Sequence, residues 1–322
     1  QLLSQMAQAG CDYVVMEVSS FGLVQHRIGP IHFHAAVFTN LTQDHLDYHK
    51  TMENYYQAKK MLFERCDFAI INTDDAYGER LMQEVTCDRY AYGSKHTADY
   101  YADAIKLKAS GTSFWFCYGE KSYPITMRMA GMFNVANAVA AMAVCLELGF
   151  SISRIQPVME ACTGVRGRCE LIPTGKDFSV ICDYAHTPDA IENILSSVKE
   201  YTEGRLICLF GCGGNRDKTK RPKMAQAAAK YADFLMITSD NPRDEEPQAI
   251  VDDILTGLQG TDVPYQVVLD RKEAILESMR LAKKGDVIVL AGKGHEDYQV
   301  LAGGVHIHMD EREIVRDCLP LL

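Results

Sequence analysis

Four short apolar runs, SVICDYA, RLICLFG, FLMITS and DVIVLAG, recur between residues 179 and 292 with segments of helical spacing between them. No other feature constrains the fold as strongly. A strand that is apolar at successive positions has to be covered on both faces, and a parallel sheet with helices on each side does this. The intervening helices are read as Pro188–Tyr201, Pro222–Tyr231, Pro247–Leu258 and Lys272–Lys284. A doubly wound sheet of this kind binds its ligands at the carboxyl ends of its strands.

The first half of the chain shows the same alternation. QLLSQMAQAG reads as the end of a helix closed by Gly10. With no initiator Met and no leader, the chain reads as starting in mid-domain. DYVVMEVS (Asp12–Ser19), AAVFTN (Ala35–Asn40) and FAIIN (Phe68–Asn72) read as strands, and Met52–Arg65 and Met132–Leu148 as helices. From about 88 to 127, polar and apolar residues alternate between Gly and Ser turns, which predicts an antiparallel meander. The Gly- and Arg-rich TGVRGR segment (Thr163–Arg168) marks a boundary, giving domains 1–165 and 166–322. The expected fold class is therefore α/β: a first domain with a mostly parallel sheet and a small meander, then a doubly wound, Rossmann-like second domain.

Composition narrows the function. The formal charge of −10 argues against a nucleic-acid or anionic-membrane surface. The 11 cysteines include no C-x-x-C pair, so they read as buried, reduced thiols of a cytoplasmic protein. No apolar run reaches the roughly 18 residues that a membrane span needs.

The chemistry-bearing residues collect at the strand ends. Glu17 ends one run of the first domain, and Asn40 leads from the next into TQDHLDYH, a cluster of His and Asp suited to a divalent cation. In the second domain DYAHTPD (Asp183–Asp189) opens a helix at Thr187 and Pro188, a cap and a first-turn proline at a natural anion site. GCGGNRDKTKRP (Gly211–Pro222) is a glycine-rich, basic strand-to-helix loop suited to a carboxylate or phosphate. It matches neither the P-loop nor the dinucleotide fingerprint, because Arg216 and Asp217 stand where those patterns need Gly or Lys. DNPR (Asp240–Arg243) and AGKGHE (Ala291–Glu296) end two further strands. Arg216 and Arg243 as cations with Glu296 as an anion fit a zwitterion carrying an extra carboxylate.

Together these motifs resemble the Mur ligases. MEVSSFGLVQHR, FTNLTQDHLDYH, YYQAKKMLF, GMFNVANAVAA, DYAHTPDA, FGCGGNRDKTKRP, DNPR and AGKGHEDYQ match in order and cover essentially the whole chain. The resemblance implies an ATP-driven amide ligase of peptidoglycan precursor synthesis, cytoplasmic and monomeric. It would add meso-diaminopimelate to a UDP-N-acetylmuramoyl-dipeptide through an acyl phosphate, with Mg2+. Carried over by position, Glu17, His45 and a carbamylated Lys59 would hold the metal. Ser19, Gln25 and Arg27 would touch the UDP-dipeptide, and Asn137, Arg168, Asp183 and His186 the nucleotide. Arg216, Asp240, Asn241, Pro242, Arg243, Gly292 and Glu296 would receive the amino acid. For Lys59 the alternative is an exposed helical lysine. Family members that add lysine lack the DNPR arginine, so Arg243 favours diaminopimelate.

The family's triphosphate loop, G-x-x-G-K-[TS], lies upstream of MEVSS, and this chain has no such segment. The chain alone is therefore expected to show no ligase turnover. Three rival readings remain: the same ligase with L-lysine, a folylpolyglutamate-synthase-like ligase, and a non-catalytic amino-acid-binding fragment.

Overall fold

The computed structural model describes residues 1–42 and 45–322, with only the backbone of Asp47. Contacts divide the chain into two compact units. One comprises residues 1–101, 117–121 and 139–149, and the other comprises the remainder. The architecture is α/β, with two six-stranded sheets and a two-stranded ribbon among the described residues.

The first sheet runs in simple order through β1 (Phe33–Phe38), β2 (Cys66–Asn72), β3 (Asp88–Gly93), β4 (Tyr100–Lys108), β5 (Gly111–Tyr118) and β6 (Lys121–Met127). β1, β2 and β3 pair in parallel, and β3 meets β4 in parallel at Tyr92 and Gly93. The expected meander is therefore shorter than its polar alternation suggested. β3 belongs to the parallel part, and only β4–β6, joined by two-residue turns, form it. Ala69, Ile70 and Ile71 of β2 are fully buried, the two-faced covering that the apolar FAIIN run requires.

One expected strand is absent. Residues 12–18 form no strand, and Val15 is 100% exposed. β-Propensity alone does not make a strand: the backbone needs a hydrogen-bonding neighbour, and no described strand pairs with this run.

The second sheet has the order β11-β10-β9-β12-β8-β7. Its strands are β7 (Glu170–Ile172), β8 (Ser179–Asp183), β9 (Leu206–Phe210), β10 (Phe234–Ile237), β11 (Tyr265–Val267) and β12 (Val287–Ala291). β8 to β12 pair in parallel, while β7 lies antiparallel on the edge. Burial alternates with a period of two. Ile181, Cys208, Phe210, Ile237 and Val289 join one core with the helices Pro188–Lys199, Lys220–Ala229 and Pro247–Leu255. Cys182, Ile207, Leu209, Met236 and Ile288 join a second core on the other face, with Arg271–Leu281 and Glu311–Cys318. The ribbon pairs β13 (Tyr298–Val300) with β14 (His306–His308). All 11 cysteines are free, and seven are buried. Burial pushes the Cys208 thiol up to about 12.

Candidate functional site

Register sets the second site. Ala291 of β12 pairs with Asp183 of β8, Leu290 with Leu209 of β9, and Ile237 of β10 with Phe210. Four strands thus end level, and the loops that leave them, 184–187, 211–219, 238–246 and 292–297, share one edge of the sheet.

Close backbone approach packs these loops together. A Cβ on Gly214 would lie 1.8 Å from the Pro242 carbonyl oxygen, and one on Gly211 would lie 2.3 Å from that of Thr238. The Gly214 N–H donates to the Asn241 carbonyl at 2.8 Å. Only glycine permits such contacts.

Arg221, fully buried at the start of its helix, braces the glycine-rich loop. It donates to Glu245 (2.9 and 3.0 Å), Asp253 (2.8 Å) and the Gly213 carbonyl (3.3 Å). Glu245 also accepts from the Asn215 N–H at 2.6 Å. Arg221, and then the Asn215 N–H, hold the Glu245 carboxyl down at about 2.

The predicted amino-acid residues come together on this frame. A Cβ on Gly213 would sit 2.9 Å from Arg243 Nη1 and 3.7 Å from Arg216 Cγ, so both cationic side chains flank that glycine. Arg216 is exposed, and Arg243 is half-buried. Arg243 has a left-handed φ of 52°, held by its N–H to the Val300 carbonyl (3.1 Å) and by Nη1 to the Gly214 carbonyl (2.9 Å). Strain of this kind in a non-glycine residue collects at functional sites. Pro242 is buried, its carbonyl packed against Gly214.

Asp240 and Asn241 are buried. Asn241 Nδ2 donates to Glu296 Oε2 at 3.2 Å. Gly292, with φ +118°, leaves room for the Asp240 carboxylate, which would lie 2.8 Å from an added Cβ. The sequence reading missed Lys293, buried beneath this group, although it lies inside the AGKGHE motif. It also missed Arg271, whose guanidinium pairs with Glu311 at 2.7 Å and donates to the carbonyls of Ala291 (2.9 Å) and Ser239 (3.2 Å). The only sequence signal for either was a basic residue at the edge of an apolar run.

The residues matched to nucleotide contacts sit differently. The Arg168 guanidinium lies 5.2 Å from the Tyr184 ring centroid, and the His186 and His295 rings lie 4.7 and 4.9 Å from it. Asp183 accepts from the N–H groups of Cys169 (2.7 Å) and Ala185 (2.8 Å), so it fastens residue 169 to the end of β8. Burial pushes its carboxyl above the usual range, against the pull of those two bonds. The His186 carbonyl receives Lys220 Nζ at 2.9 Å. Thr187 caps its helix as expected, accepting from the Ala190 N–H at 3.2 Å. Asn137 is exposed in the second turn of the helix Met132–Glu147.

In the first unit, His45 and Lys59 both face Tyr55, whose ring centroid lies 5.9 Å from the His45 ring and 5.7 Å from Lys59 Nζ. His49 stacks on the same ring at 4.9 Å and bonds Ser20 Oγ at 2.8 Å. Ser19 caps the short helix Ser20–Val24, accepting from the Gly22 N–H at 3.0 Å. Gln25 and Arg27 follow that helix, both exposed. Glu17 is exposed in the 12–18 stretch, which forms no strand. Gln43 and Asp44 of the TQDHLDYH cluster lie outside the described residues, as does the Asp47 side chain. Among the described residues, no three His, Cys, Asp or Glu side chains form a metal-holding group.

The fold and this line of strand-tip loops define a class, and comparison with known proteins agrees. Residues 1–145 match the Mur ligase middle domain, and residues 167–294 match the Mur ligase glutamate ligase domain. The chain belongs to the Mur ligase family.

It is 48% identical over 319 residues to a protein of Clostridium acetobutylicum named UDP-N-acetylmuramoyl-L-alanyl-D-glutamate--2,6-diaminopimelate ligase 1, covering 98% of this chain and 66% of that one. A ligase of the same name from Syntrophomonas wolfei is 46% identical, over 96% of this chain and 64% of its own length. A solved structure titled as that ligase superposes with a TM-score of 0.74 at 35% identity, over 99% of this chain and 66% of the other. The chain thus spans about two thirds of the length of these relatives. A folylpolyglutamate synthase from Thermotoga maritima shares the fold at a TM-score of 0.58 and 19% identity. No helix among the described residues is long and apolar enough to cross a membrane.

Proposed function

We propose that this chain is part of an ATP-dependent ligase that adds meso-diaminopimelate to the D-glutamyl carboxylate of UDP-N-acetylmuramoyl-L-Ala-D-Glu, in the cytoplasm. One observation carries the reading. At one sheet edge, Arg216 and Arg243 flank Gly213, while Asn241 reaches the Glu296 carboxylate beside them. Diaminopimelate carries two carboxylates and two amines, and this arrangement offers two cations and an acidic group within one loop cluster. Lysine lacks the second carboxylate and leaves one guanidinium without its partner. Names of relatives 46–48% identical support the same substrate.

The domain reading, 1–165 and 166–322, follows the TGVRGR segment, and the gap between the two family matches supports it. In this reading ATP phosphorylates the D-glutamyl γ-carboxylate, and the amine attacks the acyl phosphate and expels phosphate. Arg216 and Arg243 bind carboxylates, Asp240 and Glu296 receive ammonium, and Pro242 and Gly292 shape the backbone around them. Asn137, Arg168, Asp183 and His186 serve the nucleotide, and Ser19, Gln25 and Arg27 the UDP-dipeptide. Glu17, His45 and Lys59 as its carbamate fit Mg2+, since carboxylate and carbamate oxygens are hard donors. The ion, when bound, neutralises phosphoryl oxygens. The working species is taken as a monomer.

The test is ATP-dependent product formation by the complete ligase with diaminopimelate and with L-lysine. The reading expects diaminopimelate to be preferred and Arg243→Ala to lower its kcat/KM at least tenfold, with lysine unaffected. Unchanged efficiency toward diaminopimelate would refute it. A wild-type preference for lysine would move the assignment to the lysine-adding alternative.

A further inference from the structure

Lys293 is the one fully buried lysine among the described residues, with 0% exposure. A buried ammonium is stable only when its charge and its donors are matched. Nζ donates to Asn241 Oδ1 and to the Tyr298 carbonyl at 2.9 Å, and it lies 3.3 Å from both Glu296 Oε2 and Asp240 Oδ1. It therefore ties together the loop after β10, the loop after β12 and the ribbon strand β13.

The amide of Asn241 shows what this tie does. Its Oδ1 takes Lys293 on one side and the Val300 N–H at 2.9 Å on the other. With the oxygen engaged by two donors, Nδ2 has to face the other way, where it meets Glu296 Oε2 at 3.2 Å. Two carboxylates, Asp240 and Glu296, converge on one ammonium, so the group keeps one surplus negative charge. Without Lys293 those carboxylates would repel each other, and the Asn241 oxygen would keep only the Val300 N–H to fix its amide.

We propose that Lys293 is a positioning residue. Its buried ammonium holds Asn241 and Glu296 in the orientation that receives an ammonium group of the incoming amino acid. This rests on the amino-acid pocket assigned above, and it adds a residue that acts through Asn241 and Glu296 rather than by touching the substrate.

The test is a double-mutant cycle in the complete ligase, with Lys293→Met, Glu296→Gln and the two combined. Lys293→Met is expected to raise KM for the amino acid at least tenfold, with KM for ATP and for the UDP-dipeptide within twofold of wild type. The combined variant should be no worse than Glu296→Gln alone, because both changes disable the same group. Lys293→Arg, which keeps the charge, should recover part of the loss. Additive effects in the cycle, or equal rises in KM for all three substrates, would overturn the proposal and leave Lys293 a structural residue. Should Lys293→Met fail to fold, the Lys293→Arg variant carries the test: it must fold and still shift only the amino-acid KM.

Wild-type preference reads the substrate assignment separately. If the enzyme uses lysine, the same cycle measured with lysine still decides the role of Lys293. No turnover with any amino acid would overturn both.

Discussion

The two strand-tip regions of this molecule are built from similar motifs but are held very differently. In the second unit four parallel strands end level, and buried Arg221, Arg271 and Lys293 lock the loops that leave them. In the first unit His45 and Lys59 gather around Tyr55, but Glu17 sits on a stretch that has no strand partner among the described residues and leaves Val15 wholly exposed. A strand places its terminal residue only when neighbours fix its register. The contrast shows that a site motif is positioned by the sheet behind it rather than by its own residues.

The largest expected effect tests how far the second region depends on its buried charges. Glu311→Ala leaves Arg271 buried without its partner, and losing one member of such a pair costs about 3–5 kcal/mol. Urea unfolding should show that loss for Glu311→Ala and no measurable change for Val15→Ser. Similar midpoints for the two variants would erase the distinction between the regions.

Much of the second unit was legible in the sequence, because its strands are buried on both faces and read as continuous apolar runs. The helices Pro188–Lys199 and Pro247–Leu255 begin at their prolines as expected. The loops DNPR and AGKGHE were legible as chemistry because their polar residues follow apolar strands directly. Lys293 and Arg271 were not, because nothing local shows that a basic residue is buried; their partners lie up to 53 and 40 residues away. The 12–18 run failed in the opposite sense. Its β-branched residues have strand propensity, but a strand also needs a neighbour that propensity does not supply. Likewise β3 read as part of the meander because its polar edge residues mask its parallel pairing with β2.

A smaller effect sharpens the comparison through pH. Arg221 and the Asn215 N–H hold Glu245 at about 2, against an ordinary value of 4.5. A carboxyl depressed by folding stabilises the fold above its unfolded value, and that contribution drains away as pH falls from about 4.5 to about 2. In the first unit Glu84, bonded to Lys60 and Arg80, is also held at about 2, so acid lability belongs to both regions. Arg221→Met should remove the part of this share that Arg221 gives to Glu245. Its unfolding midpoint is expected to fall less steeply than wild type between pH 5 and pH 2 (about the span of the two values). Parallel slopes would show that Arg221 does not stabilise the Glu245 carboxylate.

The central claim is that the second unit presents a pocket already shaped for diaminopimelate by its own sheet, loops and buried cations. Calorimetric titration of this chain with meso-diaminopimelate and with L-lysine tests it most directly. The account predicts saturable binding of diaminopimelate at least tenfold tighter than lysine, a difference abolished by Arg243→Ala. Equal binding of the two amino acids, or tighter binding of lysine, would contradict it.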